Sequence, residues 1–279
     1  VATESRFYAL DGARAFCLLG GIVLHATTSF FGSFPAQDIS PSTTLGVACY
    51  VIHIFRMSVF FLLAGYFAHM ILQRRGTLAF LRDRSMRILV PMIVGWLIFG
   101  TSSIAVLRAF GSHFRDDGGL PLLHFWFLYY LCIFYVLVLA LRTVFDNLID
   151  CGGQIRIAID ATLRGVTSTY LGPMVLAAPL FLVVCFKRKW LGWWGILPPE
   201  HFTPNLYPMV GYGTAFAFGW FLNRQVELLD HFRAAWYVHL AFGITLTAAC
   251  LSIIGIAPGA ALCTPGATRL RSGSGLLAL

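Results

Sequence analysis

Seven apolar runs separated by short polar connections leave this chain few folds to choose from. They lie near 15–31, 46–71, 88–107, 122–141, 170–187, 207–222 and 234–256. A hydrocarbon layer about 30 Å thick takes about 20 residues of helix to cross, and most of these runs come close to that length. Within a bilayer every backbone N–H and C=O must find its partner inside the protein, and a helix does so within one segment. The expected fold class is all-α, a polytopic integral membrane helix bundle with about seven transmembrane helices. Charged residues make up only 11% of the 279 and hydrophobic ones 58%, whereas soluble domains carry about 25% charged residues. The runs follow one another too closely for separate soluble domains, so residues 1–257 read as one transmembrane domain.

The second run is long enough to include an interfacial turn or a tilt. The fifth and sixth are short and carry Pro173, Pro179, Pro208, Gly211 and Gly213. Residues 258–279, Pro/Gly/Ser-rich with two arginines, lose the pattern and read as a flexible or frame-altered tail. The N-terminal ESRFYALDGAR runs straight into the first apolar stretch without the features of a cleavable signal peptide. No internal repeat is visible, which counts against an inverted-repeat transporter.

The formal net charge is +8, but its distribution argues against nucleic acid as a partner. With the N-terminus inside, the inner segments collect Arg6, Arg14, Arg74, Arg75, Arg82, Arg84, Arg87, Arg142, Arg156, Arg164, Arg224 and Arg233. The outer loops hold only Arg108, Arg115, Lys187, Arg188 and Lys189. That asymmetry orients the N-terminus toward the cytoplasm, and Trp190, Trp193 and Trp194 read as an interfacial belt. The seven cysteines show no CxxC or Cys/His ligand spacing. Neither a disulfide framework nor a metal site is expected.

The first run holds Arg14 and His25 with ten residues between them, in RAFCLLGGIVLH. Eleven helical steps of about 100° return to within about 20° of the starting face and climb about 16 Å. A lone histidine on an apolar helix is commonly a packed residue bonded to a carbonyl. Within a membrane, however, ionisable groups face cavities or substrate paths, and a buried neutral imidazole suits general-base work on a hydroxyl. Arg14 is either an ordinary topology signal paired with Asp11 or a holder for an anionic group such as phosphate.

Arg56 sits deep in the second run, three residues after His53, where an unpaired charge is costly; it reads as lining a polar cavity. The segment RRGTLAFLRDRSMRILVP, with five arginines, reads as a loop between the second and third runs, and its Arg84 and Arg87 belong either to a plain positive-inside loop or to a fork for a polyphosphate. His124, with Trp126, Tyr129 and Tyr130, marks either an interfacial belt or a carbohydrate-facing surface. The chain has no G-x-S-x-G, H-E-x-x-H or Walker A motif, and no histidine followed by aspartate five residues later.

Four blocks in order carry a family resemblance. Arg14 through His25 resembles the R-x10-H motif of the membrane-bound acyltransferase-3 family, and FYALDGARAFCLLGGIVLHA resembles its first helix. FFLLAGYF resembles its second-helix element, with Ala64 where serine is common; RSMRILVP resembles the entry to its third helix, and HFWFLYYL its fourth. The likeness is close over about 6–141 and looser through PPEHFTPNLYPMVGYGTAFAFGWFLNR. The blocks look most like the branch that succinylates periplasmic glucans.

The resemblance implies an integral membrane O-acyltransferase of the bacterial inner membrane, without a permanently bound cofactor. It would take an acyl group from cytoplasmic acyl-CoA, succinyl-CoA or acetyl-CoA, to a hydroxyl of a periplasmic glucan or other envelope glycan. It further implies His25 as catalytic base or acyl relay and Arg14 as orienting the donor. Arg84 and Arg87 would contact CoA phosphates, and Arg56 would line the acyl path beside membrane lipid. Members of the family usually carry about ten spans of about 20 residues, so the chain is expected to be truncated at its C-terminal side. The alternatives are a multi-pass exporter of a glycan or lipid-linked intermediate, with no covalent chemistry, and an inactive fragment.

Overall fold

The computed structural model describes residues 8–27, 30, 42–109, 122–145, 153–170, 172–186, 196 and 202–254. Those residues contain helices and turns and no strand, as the bilayer argument requires. The elements are α1 (Tyr8–Thr27), α2 (Thr43–Arg84), α3 (Val90–Gly95), α4 (Thr101–Ala109), α5 (Trp126–Val144), α6 (Gln154–Thr167), α7 (Gly172–Phe186), α8 (Leu206–Arg224), α9 (Glu227–Ala234) and α10 (Trp236–Ile254). Among the described residues, four stretches are long and apolar enough to cross a membrane: Ala9–Thr27, Thr43–Val106, Leu123–Val144 and Trp236–Ile253. Met174–Val183 in α7 is a shorter apolar helix. The 258–279 tail, the Lys187–Lys189 cluster and the expected tryptophan belt lie outside the described residues.

The structure differs from the sequence expectation between the second and third runs. RRGTLAFLRDRSMRILVP, expected as a loop, is helical and interrupted only at Gly76, whose backbone has φ 75° and ψ 174°. Side chains other than hydrogen rarely tolerate that φ, so one glycine does the work of a connection. Beyond it the helix widens twice into π turns, at Ser85–Leu89 and Trp96–Gly100. The first has a local cause. Pro91 has no N–H for the Arg87 carbonyl and its ring crowds that group, and the Val90 N–H reaches back to the Ser85 carbonyl instead. The second is followed by Thr101 and Ser102, whose hydroxyls donate to the Leu97 and Ile98 carbonyls at 2.5 and 2.6 Å.

The chain divides into two compact units. One comprises residues 1–60, 187–197 and 237–279, the other 61–186 and 198–236. In the first, α1 buries Cys17, Gly21, Leu24 and Thr27, one stripe at helical spacing, and Leu24 packs with Cys49 and Ile52 of α2. The second is centred on aromatics. Phe61 stacks on Tyr212 at 4.9 Å and meets Phe134 edge-on at 5.5 Å, while Phe216 lies against Phe134 and Tyr135. Two glycines make this packing close. A Cβ at Gly65 would strike the Phe216 carbonyl oxygen, and one at Gly219 the Leu62 carbonyl oxygen, so the backbones of α2 and α8 touch. Apolar helices gain little from the hydrophobic effect when lipid surrounds them, and such small-residue contacts supply the attraction instead.

α6 and α9 are short helices that hydropathy alone does not reveal. α6 is tied to the end of α8 by Arg224 Nη2 on Asp160 Oδ2 at 2.5 Å and by the Gln225 side-chain amide donating to the Asp160 carbonyl at 2.9 Å. α9 carries Glu227 and Asp230 in its first turn and His231 and Arg233 in its last, the order that complements a helix dipole.

Candidate functional site

α1 presents Arg14 and His25 at the edge of its buried stripe. Counted from Cys17 at about 100° per residue, they fall about 60° and 80° round the helix, and both side chains are exposed. α2 supplies the facing groups. The Arg56 side chain lies along α1 at Gly20 and Gly21: a Cβ at Gly21 would collide with its guanidinium, and one at Gly20 would be 3.9 Å from its Cδ. The missing side chains create the space the arginine occupies. A cavity of about 260 Å³ adjoins it, walled by Phe16, Cys17, Leu19, Gly20, Val23, Ile52, Phe55 and Arg56. His53, one turn before Arg56, hydrogen-bonds the backbone of Ile196 and lies within electrostatic reach of both Arg56 and His25.

His25, His53 and Arg56 are thus gathered in one unit, with Arg14 about 16 Å down the helix from His25. Chemically, this sets an exposed imidazole within electrostatic reach of a second imidazole, with a cation packed against α1 in the wall of an apolar slot. That is a setting for moving an apolar or short acyl group past a base.

The other unit holds Arg84, Arg87 and His124. Arg84 is clamped, its guanidinium carbon 5.6 Å from the Phe80 ring centre and 5.5 Å from that of Tyr135. Asp83 sits between the two arginines, with Oδ1 2.9 Å from Arg87 Nε and Oδ2 3.8 Å from Arg84 Nε. A π turn, Ser85–Leu89, follows Arg84 and carries Arg87, and the two guanidiniums share one carboxylate, with the Arg84 side chain mostly buried and that of Arg87 exposed. His124 is exposed in a 3₁₀ turn, Leu123–Phe125, ahead of α5. Its aromatic neighbours are already engaged. The Tyr129 hydroxyl donates to the Phe202 carbonyl at 2.6 Å, the Tyr130 hydroxyl accepts from the Asn205 N–H at 2.8 Å, and Trp126 packs on Tyr212. These rings hold the strand of chain that starts α8, where Asn205 caps the helix by accepting from the Tyr207 N–H.

Three features escaped the sequence reading. Gly20 and Gly21 are read as ordinary helix residues until Arg56 is seen against them. Asp83 carries a visible signal, four residues before Arg87. The third is a buried polar group on α2 and α8. His69 donates from Nδ1 to Asn223 Oδ1 at 2.8 Å, accepts at Nε2 from the Gln73 amide at 3.4 Å, and meets the Trp220 ring edge-on. It sits four residues after Gly65, where α2 approaches α8 closely. Among the described residues no cluster of three or more His, Cys, Asp or Glu side chains is placed to hold a metal ion.

The helical fold, its long apolar spans and the basic groups set into them define a polytopic integral membrane protein. The family model described as an acyltransferase domain matches residues 7–278, and the chain belongs to that acyltransferase-3 family. Curated relatives include the glucans biosynthesis protein C of Salmonella paratyphi B, Salmonella heidelberg and Salmonella enteritidis PT4. Each is 35% identical over 89 residues, 32% of this chain and 23% of the relative's length. The match therefore spans about a quarter of those relatives. No solved structure matches.

Proposed function

We propose that the protein is an O-acyltransferase of the bacterial inner membrane, N-terminus cytoplasmic. On this reading it carries an acyl group, succinyl before acetyl, from acyl-CoA to a hydroxyl of a periplasmic glucan or related envelope glycan. The observation that carries this reading is the electrostatic grouping of His25, His53 and Arg56, the last in the wall of an apolar slot, in a chain of the acyltransferase-3 family. Names of the relatives support the glucan acceptor. The excess of arginine on the inner segments supports the orientation.

In the proposed reaction, the family's motif blocks assign Arg84 and Arg87 to the donor's phosphates and Arg14 to orienting the donor. The thioester reaches His25 past Arg56. A glycan hydroxyl loses its proton to the His25 imidazole as its oxygen attacks the thioester carbonyl. The C–S bond breaks, the ester forms, and the thiolate recovers the proton to leave as free CoA. Arg56, fixed against Gly21, offers positive charge to the carbonyl oxygen as it becomes an oxyanion.

The test is mass spectrometry of envelope glycans from cells carrying wild type or His25→Ala, with the membrane content of each variant measured by blotting. Wild type adds the acyl mass and His25→Ala loses it at equal membrane content. Full acylation by His25→Ala removes that residue from the chemistry. Glycan movement without any added mass identifies an exporter instead.

A further inference from the structure

Asp83 has no part in the reaction as derived, yet it occupies the place between the two arginines. We propose that Asp83 is a built-in competitor for the donor's phosphate: its carboxylate holds Arg87 in the empty protein and is displaced when a phosphate arrives. The proposal rests on the reading of Arg84 and Arg87 as donor-phosphate ligands.

Several observations carry it. Arg84 is restrained independently of Asp83, with its guanidinium against Phe80 and Tyr135 and its side chain only 17% exposed. Its Nε is buried, lies 3.8 Å from Asp83 and makes no hydrogen bond among the described residues. Arg87 is the opposite case. Its side chain is 74% exposed, and Asp83 Oδ1 at 2.9 Å is its anionic partner. One cation is therefore fixed and under-bonded, while the other is held by a single contact that a rotamer change breaks. Asp83 is itself 14% exposed, so its charge is felt at both guanidiniums rather than dispersed in water.

With the carboxylate present the trio carries one net positive charge. A phosphate that takes over Arg87 and completes the Arg84 Nε makes two charge-assisted bonds in place of one. No backbone movement is needed, because the aspartate and both arginines stand on consecutive turns of one helical stretch. The consequence is a site that rejects weak single-charge anions and yields to a polyphosphate.

Asp83→Asn tests this, measured as coenzyme A binding by calorimetry with the purified full chain in nanodiscs of zwitterionic lipid. Expected is a roughly fivefold tighter Kd at low ionic strength, as one repulsive charge is removed, with the gain shrinking as salt is raised. Asp83→Ser keeps the question answerable if the asparagine variant is poorly folded. Arg87→Gln weakens binding, and Asp83→Asn added to it recovers less than it gains alone. Anionic lipid in the nanodisc lowers coenzyme A affinity more for Asp83→Asn than for wild type, since the uncovered pair then takes headgroup phosphate. Unchanged or weaker coenzyme A binding by both Asp83 variants, with wild type binding normally, overturns the competitor role alone. If wild type binds no coenzyme A, the donor reading falls and the role of Asp83 falls with it.

Discussion

Replacing Gly219 by alanine puts a methyl group on the Leu62 carbonyl oxygen, and Gly65→Ala puts one on the Phe216 carbonyl oxygen. A Cβ cannot rotate away and the atoms it meets are backbone, so α2 and α8 must separate by roughly 1–2 Å. That opens the aromatic packing between them, where Phe61 of α2 stacks on Tyr212 of α8 at 4.9 Å. Aromatic pairs contribute about 0.5–1.5 kcal/mol each and overpacking costs about 1–3 kcal/mol, so each substitution is expected to destabilise by about 2–4 kcal/mol.

The two costs do not add. Whichever methyl separates the helices also makes room for the other, so the double variant loses less than the sum. Reversible unfolding by SDS titration in mixed micelles, followed by tryptophan fluorescence, measures all three. Gly243→Ala in α10 is the control, since a Cβ there meets nothing within 4 Å; it should be neutral or stabilising by up to about 1 kcal/mol. If Gly219→Ala unfolds like Gly243→Ala, or if the double variant is strictly additive, the close approach of α2 and α8 is not what holds this unit together.

Two further substitutions report on separate features. Gly21→Leu drives the Arg56 guanidinium from its place against α1. Acyl transfer should fall about tenfold or more, about 1.4 kcal/mol of barrier, and rates near wild type would show that Arg56 has no catalytic part. Asp160→Asn leaves Arg224 without its carboxylate in a mostly buried pair. It should cost about 1–3 kcal/mol and speed amide exchange in α6; unchanged exchange protection would mean the ion pair does not anchor that helix.

How much of this was legible beforehand depended on the range of the interaction involved. Hydropathy is summed over about 20 residues of one segment, so the apolar spans and the helical class could be read directly. α6 and α9 could not, because short amphipathic helices are fixed by partners such as Arg224 on Asp160, which lie 64 residues apart. Between the second and third runs five arginines read as a loop, whereas the backbone needs only Gly76 to turn. Pro91 announces a disturbance, but that it takes the form of a π turn carrying Arg87 requires the backbone itself.

By itself the sequence determined the membrane as solvent, the spacing of Arg14 and His25 on one helical face, and the family, through motifs carried on single helices. Only tertiary structure decided what those residues meet. Arg56 reaches α1 because Gly20 and Gly21 lack side chains, and Arg84 is held by a tyrosine 51 residues further along the chain. Tyr129 and Tyr130 are spent on the start of α8 rather than left open to a ligand. Periodicity says which face a residue shares within its own helix. Which neighbour covers that face is set by packing between segments far apart in sequence, and one chain read alone holds no record of it.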